Sequence, residues 1–232
     1  VNLVLQKQAD GIISLSRQLP FQISRGQKQA DPDWPPVVMA CEYYGDVDVP
    51  VVRIDNCTAA YEAALYLLQL GHRRIAYIDG PEEFPICAER RAGYERALTE
   101  AGIKPEQRLE VEGDFSLQSG GGAMHRLLST ASRPTAVFAA NDEMAIGAIK
   151  AIKAAGLSVP EDISVMGFDD IGFAEYCDPP LTTVHQPRNR MGETLMQVML
   201  GILDGETPER TEILLPHRLV LRESTAPPLI FD

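Results

Sequence analysis

The chain has 232 residues, 21 of them basic and 33 acidic, which gives a formal charge of −12 at pH 7. Hydrophobic residues make up 45% and charged residues 23%, an ordinary globular mixture for one large domain or two small ones. This composition excludes collagen, a coiled coil and a disordered tail. Its acidic balance excludes a DNA-binding surface spread over the whole chain, because such a surface would repel phosphate.

Short apolar runs bounded by turn residues predict strands along the chain. They occupy residues 11–14, 37–40, 51–54, 74–79, 108–113, 135–140 and 163–168. Helix-like stretches separate the later runs, and most of them end at a glycine that suits a helix C-cap. These stretches span residues 58–71, 88–102, 116–130 and 142–156. The alternation of strands and helices predicts an α/β fold with parallel sheets and helices on both faces.

The C-terminal part of the chain departs from this alternation. A helix is predicted at 188–203, followed by strands at 212–215 and near 217–221. Proline clusters at 31–36 and 178–180 predict turns.

Several features favour a cytoplasmic protein without a membrane span. The longest apolar runs are far shorter than the ~20 residues that a membrane helix needs. The first residues lack the basic start and small-residue cleavage site of a secretory signal. Four widely spaced cysteines without a CxxC pair favour free thiols in a reducing compartment.

Polar and aromatic side chains follow the predicted strands, where ligands bind in open parallel sheets. They are Arg90 on the helix after 74–79, Phe115 after 108–113, Asn141 and Asp142 after 135–140, and Asp169 and Asp170 after 163–168. A carboxylate accepts two hydrogens from a vicinal diol, arginine and asparagine add directed hydrogen bonds, and an aromatic ring stacks on a flat face. The set therefore suits a neutral, hydroxyl-rich, ring-bearing ligand.

Each of these residues also has a purely structural interpretation. Arg90 could pair with a glutamate on its own helix, and Phe115 could be a core residue. The remaining four could be helix caps or surface groups, namely Asn141, Asp142, Asp169 and Asp170.

Catalytic and metal motifs are not found in the sequence. It contains no GxGxxG, GxxxxGK[ST] or GxSxG motif, and its four histidines lack metal-ligand spacing. His72 follows a helix end and is interpreted as structural. The glycines at 120–122 are interpreted as permitting close helix packing rather than as a phosphate loop. We therefore expect no catalytic residue, no metal and no cofactor.

Six segments, in this order, resemble the LacI/GalR family of bacterial transcription regulators. They are LGHRRIAYIDGP (70–81), RRAGYERAL (90–98), GDFSLQSG (113–120), PTAVFAANDEMAIGAI (134–149), GLSVPEDISVMGFDD (156–170) and PPLTTVHQPRNRMG (179–192). The match covers the effector-binding part of the family and nearly the whole chain. Three segments are most similar to the cytidine-responsive repressors of that family, namely QADGIISLSRQLPF (8–21), GPEEFPIC (80–87) and EYCDPPLTT (175–183).

The resemblance implies a periplasmic-binding-protein-like fold, with two Rossmann-like subdomains joined by three crossovers around a cleft. The N-terminal subdomain would comprise 1–54 plus 187–215, and the C-terminal subdomain 55–186 plus 216–226. By the same resemblance the first subdomain is truncated by about 50 residues, since each βαβ repeat takes ~30 or more. The strand at 11–14 would then present an open edge, and the DNA-binding helix-turn-helix is absent from this chain.

The resemblance also implies the effector site. Arg90, Asn141 and Asp169 would line it, Phe115 would stack on the ligand ring, Phe84 and Ile86 would lie in the loop that sets ligand identity, and Gln186 would lie at a crossing near the cleft. Purine-sensing relatives place a basic residue in that loop, so Phe84 argues against an anionic or purine-base effector.

The expected function is the effector-sensing domain of a repressor that binds a neutral small molecule, such as the nucleoside cytidine, to modulate operator binding. Expected partners are a second copy of the chain, operator DNA through the absent helix-turn-helix, and a cyclic-AMP receptor protein. A periplasmic-type sugar-binding protein is one alternative. A hydrolase that uses Asp169 and Asp142 as acid and base is another.

Overall fold

The computed structural model describes residues 8–15, 35–41, 49–104, 107–208 and 211–229. The predicted turn at residues 31–34 lies outside this part of the chain. Two compact units are present, Val1–Asp55 with Pro187–Pro216 and Asn56–Gln186 with His217–Asp232. The chain passes from one unit to the other three times.

The secondary structure consists of short strands and five long helices in the described residues. The strands are β1 (Ile12–Ser14), β2 (Val37–Ala40), β3 (Val51–Ile54), β4 (Ile75–Asp79), β5 (Leu109–Glu112), β6 (Ala136–Ala139), β7 (Ser164–Met166), β8 (Thr183–His185), β9 (Glu212–Leu215) and β10 (Arg218–Val220). The helices are α1 (Asn56–Gln69), α2 (Pro85–Glu100), α3 (Leu117–Leu128), α4 (Asp142–Ala154) and α5 (Arg188–Leu203).

The first unit contains a parallel sheet in the order β1-β2-β3-β9. Helix α5 packs on it through Met191, Leu195 and Met199, which recur at helical spacing and are all buried. Strand β1 forms one edge of this sheet within the described residues.

The second unit contains a parallel sheet in the order β5-β4-β6-β7. All residues of β4, β6 and β7 are buried, as expected for parallel strands covered on both faces. The parallel α/β architecture predicted from the sequence is therefore confirmed.

Helices of the second unit pack in two close pairs, α1 with α2 and α3 with α4. A Cβ atom on Gly93 would overlap the carbonyl oxygen of Cys57 in α1, so only glycine permits this approach. A Cβ on Gly120 would likewise overlap the backbone of Met144 in α4. The packing interpretation of the 120–122 glycines is confirmed for Gly120, whereas Gly122 faces open space.

Strand β8 is an element that the sequence pattern does not predict. Its three residues lie between Pro180 and Pro187, and such a short run carries little periodic signal. It pairs antiparallel with β10, and single bridges join this segment to the end of β7 and to Asp169. The pair thereby brings the residues around His185 next to the carboxyl end of the main sheet.

Helix starts differ slightly from the prediction. Helix α1 begins at Asn56, two residues early, and α2 begins at Pro85. Proline suits the first position of a helix because its missing N–H has no helical partner there. No helix of the described segments has the length and apolar character needed to cross a bilayer.

Candidate functional site

The carboxyl ends of the strands in the second unit meet at one edge of the sheet, which we call the rim. Arg90 lies on α2 at the centre of this rim. Only 4% of its side chain is exposed, and its guanidinium lies 3.7 Å from the centroid of the Phe168 ring. Its Nε donates to Asn56 Oδ1 at 2.9 Å, and one Nη donates to the carbonyl oxygen of Ala140 at 2.5 Å. The alternative that Arg90 pairs within its own helix is therefore wrong, because these partners belong to other elements.

Asp169 faces Arg90 from the loop that follows β7. Its Oδ1 lies 3.6 Å from Arg90 Nη2 and accepts a 2.7 Å hydrogen bond from Gln186 Nε2. About a quarter of the carboxylate side chain, 28%, is accessible to solvent. The fold thus brings together three residues that the sequence analysis assigns to the effector site.

Asn141 connects Arg90 to the aromatic part of the rim. It follows Ala140, which accepts from Arg90, and caps α4 by accepting from Met144 N at 2.9 Å. Its Nδ2 donates to the Phe115 carbonyl oxygen at 2.9 Å. The helix-cap interpretation of Asn141 is confirmed, while the amide retains a second hydrogen for a ligand.

Phe115 and Phe84 form an aromatic pair on the same rim. Their rings meet edge to face, with centroids 5.5 Å apart and an interplanar angle of 82°. Phe115 adopts a positive φ of 68°, and its ring lies next to Gly80. A Cβ on Gly80 would overlap that ring, so a larger residue at this position would displace the Phe115 side chain.

Ile86 lies one helical turn before Arg90 on α2 and is only 9% exposed. All seven residues assigned from the sequence therefore lie in the second unit, and six of them are joined by the contacts above. Ile86 shares a helix face with Arg90.

Asp142 and Asp170 lie next to this rim and make internal hydrogen bonds. Asp142 is fully buried and accepts hydrogen bonds from Thr183 Oγ1 at 2.5 Å and from Ile171 N at 2.8 Å. Burial raises the pKa of Asp142 to about 7, although these two hydrogen bonds act to lower it. The surface-group interpretation of Asp142 is wrong, because its carboxylate is buried and occupied by internal donors.

Asp170 joins the rim to β8 and to the segment after β10. Its carboxylate accepts from His185 Nδ1 at 2.8 Å and from an Arg222 Nη at 2.7 Å. Burial acts to raise the pKa of Asp170, but the hydrogen bonds from Arg222 and His185 outweigh it and leave the pKa below its ordinary value. Asp170 is thus an ionised acceptor at neutral pH.

The geometry is unfavourable for hydrolysis by Asp169 and Asp142. Asp142 has no exposed surface, so it cannot meet a substrate as acid or base. No group of three or more potential metal ligands occurs in the described segments. His72 bridges Thr135 Oγ1 and the Ala226 carbonyl, which confirms its structural interpretation.

Two residues that hold Arg90 in place are not predicted from the sequence. Asn56 fixes Arg90 and is the second residue after β3, so the post-strand rule applied to that strand identifies it. Phe168 provides the ring next to the guanidinium, but within the apolar run 163–168 its sequence signal is that of any core residue.

The chain is similar in sequence to a family of binding-protein domains and to a bacterial transcriptional repressor. A family model described as periplasmic binding protein-like domain matches residues 64–225. The chain is 42% identical over 225 residues to the HTH-type transcriptional repressor CytR of Escherichia coli strain K12, covering 97% of the chain and 65% of that protein.

Two solved structures that are similar to this chain contain a bound sugar. A LacI family transcriptional regulator from Enterococcus faecium with bound ribose is 34% identical with a TM-score of 0.78, covering 83% of this chain and 71% of that one. The transcriptional regulator CelR in complex with cellobiose is 35% identical with a TM-score of 0.83, covering 96% and 68%. The chain spans 65% of the length of the first curated relatives that it matches.

Proposed function

We propose that this chain, which belongs to the LacI family of transcriptional regulators, senses a neutral nucleoside such as cytidine. The observation that carries the proposal is the convergence of Arg90 and Asp169 with the Phe84–Phe115 pair on one rim. The 42% identity to CytR supports a nucleoside as the effector.

The chemistry of the rim favours an uncharged ligand with a diol and a flat ring. The charges of Arg90 and Asp169 cancel across 3.6 Å, so an ionic ligand would leave one charge without compensation. Asp169 would accept the two ribose hydroxyl hydrogens, and the remaining polar atoms would face Arg90 and the free hydrogen of Asn141. The base would stack on Phe115, whose ring plane is fixed by Phe84.

The proposed output is a change in operator binding. An effector shifts a conformational equilibrium only by its difference in affinity for the two states. In the longer regulator this shift would reach operator DNA through a helix-turn-helix segment, in the cytoplasm and beside a cyclic-AMP receptor protein. The chain would act without catalysis, as a sensor.

A homodimer is part of the same proposal. Leu117 at the start of α3 and two aromatic residues after Asp170, Phe173 and Tyr176, expose 51%, 64% and 78% of their surface. Large contiguous apolar patches mark surfaces that meet a partner, and we propose that these three side chains contribute to such a patch. Sedimentation velocity of Phe173→Glu against the parent chain tests it, with a lower sedimentation coefficient expected for the variant.

A sugar is the second candidate effector. Relatives with bound ribose and cellobiose support it, since a carboxylate recognises a sugar diol in the same way. The aromatic pair favours the nucleoside over ribose, because ribose alone offers no flat base to stack.

Calorimetric titration separates these candidates. Cytidine should give a saturable heat, adenosine and ribose much weaker ones, and Asp169→Ala should cost ~1.5–3 kcal/mol of cytidine binding without unfolding the chain. Equal heats for cytidine and adenosine, or none for either with a folded sample, would exclude a cytidine sensor. Unchanged affinity in Asp169→Ala would leave Asp169 with a structural role alone.

A further inference from the structure

Two consecutive residues of the rim have unusual backbone conformations. Asp169 has a φ of 114° and Asp170 a φ of 54°, a region that residues with a Cβ rarely adopt. Such conformations persist only where surrounding contacts fix them. The contacts of these two residues therefore identify what holds the Asp169 carboxylate in place.

Asp170 makes two of the fixing contacts. Its carboxylate accepts from His185 on β8 at 2.8 Å and from Arg222, just after β10, at 2.7 Å. Arg222 also donates to the Leu181 carbonyl oxygen at 2.8 Å, which fixes the guanidinium. One side chain thus ties the strained loop to β8 and to the segment that follows β10.

The backbone on either side of Asp170 is fixed as well. Asp169 N donates to the Val184 carbonyl oxygen at 2.9 Å, and Ile171 N donates to the buried Asp142 carboxylate at 2.8 Å. Between these two anchors, the Asp170 side chain opposes relaxation of the loop to ordinary φ values, alongside the Asp169–Gln186 hydrogen bond.

We propose that Asp170 is a positioning residue, whose bonds to His185 and Arg222 aim the Asp169 carboxylate at the diol of the effector. The inference rests on the proposed function, since it requires Asp169 to bind that diol. Asp170 itself would not touch the ligand.

The test compares cytidine with 2′,3′-dideoxycytidine, which lacks the diol. In the parent chain the loss of the diol should weaken binding about 10-fold or more, because two hydrogen bonds to a carboxylate disappear. In Asp170→Ala the two ligands should bind with affinities within about 3-fold of each other. Asp170→Asn keeps an acceptor for Arg222 and should recover most of the discrimination.

Controls separate positioning from general destabilisation. Asp178→Ala removes another carboxylate, a 93% exposed partner of Lys153, and should keep the discrimination of the parent chain. If Asp170→Ala weakens both ligands by the same factor, Asp170 is merely structural and the inference is wrong. If Asp170→Ala fails to fold by circular dichroism, His185→Ala and Arg222→Ala, each lacking one anchor, are measured in its place.

The outcomes also distinguish this inference from the proposed function. Absence of cytidine binding to the folded parent chain contradicts the proposed function, and the role of Asp170 falls with it. Cytidine binding with unchanged diol discrimination in the variants contradicts the role of Asp170 alone.

Discussion

Arg90 and Asp169 belong to different elements, yet Arg90 Nη2 lies 3.6 Å from Asp169 Oδ1. The separation exceeds a hydrogen bond, so the groups attract each other without a direct bond between these atoms. Because the pair is electrically balanced, it suits a polar ligand without net charge.

Arg90→Lys should weaken cytidine binding about 10-fold or more. Lysine lacks the planar fork with which Arg90 reaches both Asn56 and the Ala140 carbonyl. Those buried acceptors lose their donors, so the free energy of unfolding should also fall by about 1–3 kcal/mol. Calorimetry and thermal denaturation measure the two effects. Arg96→Lys on the same helix, 46% exposed, is the control, and parent-like affinity in Arg90→Lys would contradict the assignment.

Phe115→Leu should weaken cytidine binding about 3- to 10-fold, corresponding to about 0.5–1.5 kcal/mol of aromatic stacking. Binding of ribose should change little, because ribose has no base to stack. Parallel titrations of both ligands check this difference. A loss of equal size for cytidine and ribose would show that Phe115 supports the fold of the rim and does not stack on the base.

Two glycines of α3 should respond oppositely to alanine. Gly120→Ala should destabilise the second unit by about 1–3 kcal/mol, since the new methyl group overlaps Met144 of α4. Gly122→Ala should stabilise by about 0.5–1 kcal/mol, because it meets nothing within 4 Å and alanine is the better helix former. Urea denaturation measures both, and equal effects at the two positions would contradict the packing.

Asp142 should make the fold less stable as pH rises toward neutrality. Its pKa of about 7 lies above the ordinary 3.8, so the folded state holds a proton that the unfolded state releases between these values. The free energy of unfolding therefore decreases with rising pH in this window. Asp79 and Glu110 also have pKa values raised by burial and contribute with the same sign.

Asp142→Asn isolates the contribution of that carboxyl group to the pH dependence of stability. Between pH 5 and pH 8, the free energy of unfolding should fall in the variant by at least about 1 kcal/mol less than in the parent chain. This difference corresponds to about 2–4 °C in Tm. Thermal denaturation across this range is the measurement. Identical pH profiles for the two proteins would show that Asp142 has an ordinary pKa in the folded state.

Much of the fold follows from local sequence pattern. The run at 75–79 is apolar and ends before Gly80, and the glycine-terminated stretches after it fold as the expected helices. The post-strand rule identifies Arg90, Phe115, Asn141 and Asp169, because parallel strands deliver their carboxyl ends to one edge. These predictions depend on periodicity and connectivity, which a sequence contains.

The features of the site that the sequence does not predict depend on three-dimensional packing. The sequence does not predict that Asn56 holds Arg90, since that bond exists only after α1 and α2 pack closely at Gly93. The same applies to Asp142, which is buried by the unpredicted strand β8 through Thr183. Burial and pairing of polar groups arise from contacts between distant segments, so adjacent acidic residues with different roles look alike in the sequence.

The most direct test of the account is a crystal structure of this chain with cytidine. We predict the base against the Phe115 ring, and both ribose hydroxyls within about 3.2 Å of the Asp169 carboxylate oxygens. Cytidine bound elsewhere, or bound at this rim with its ribose away from Asp169, would contradict the account.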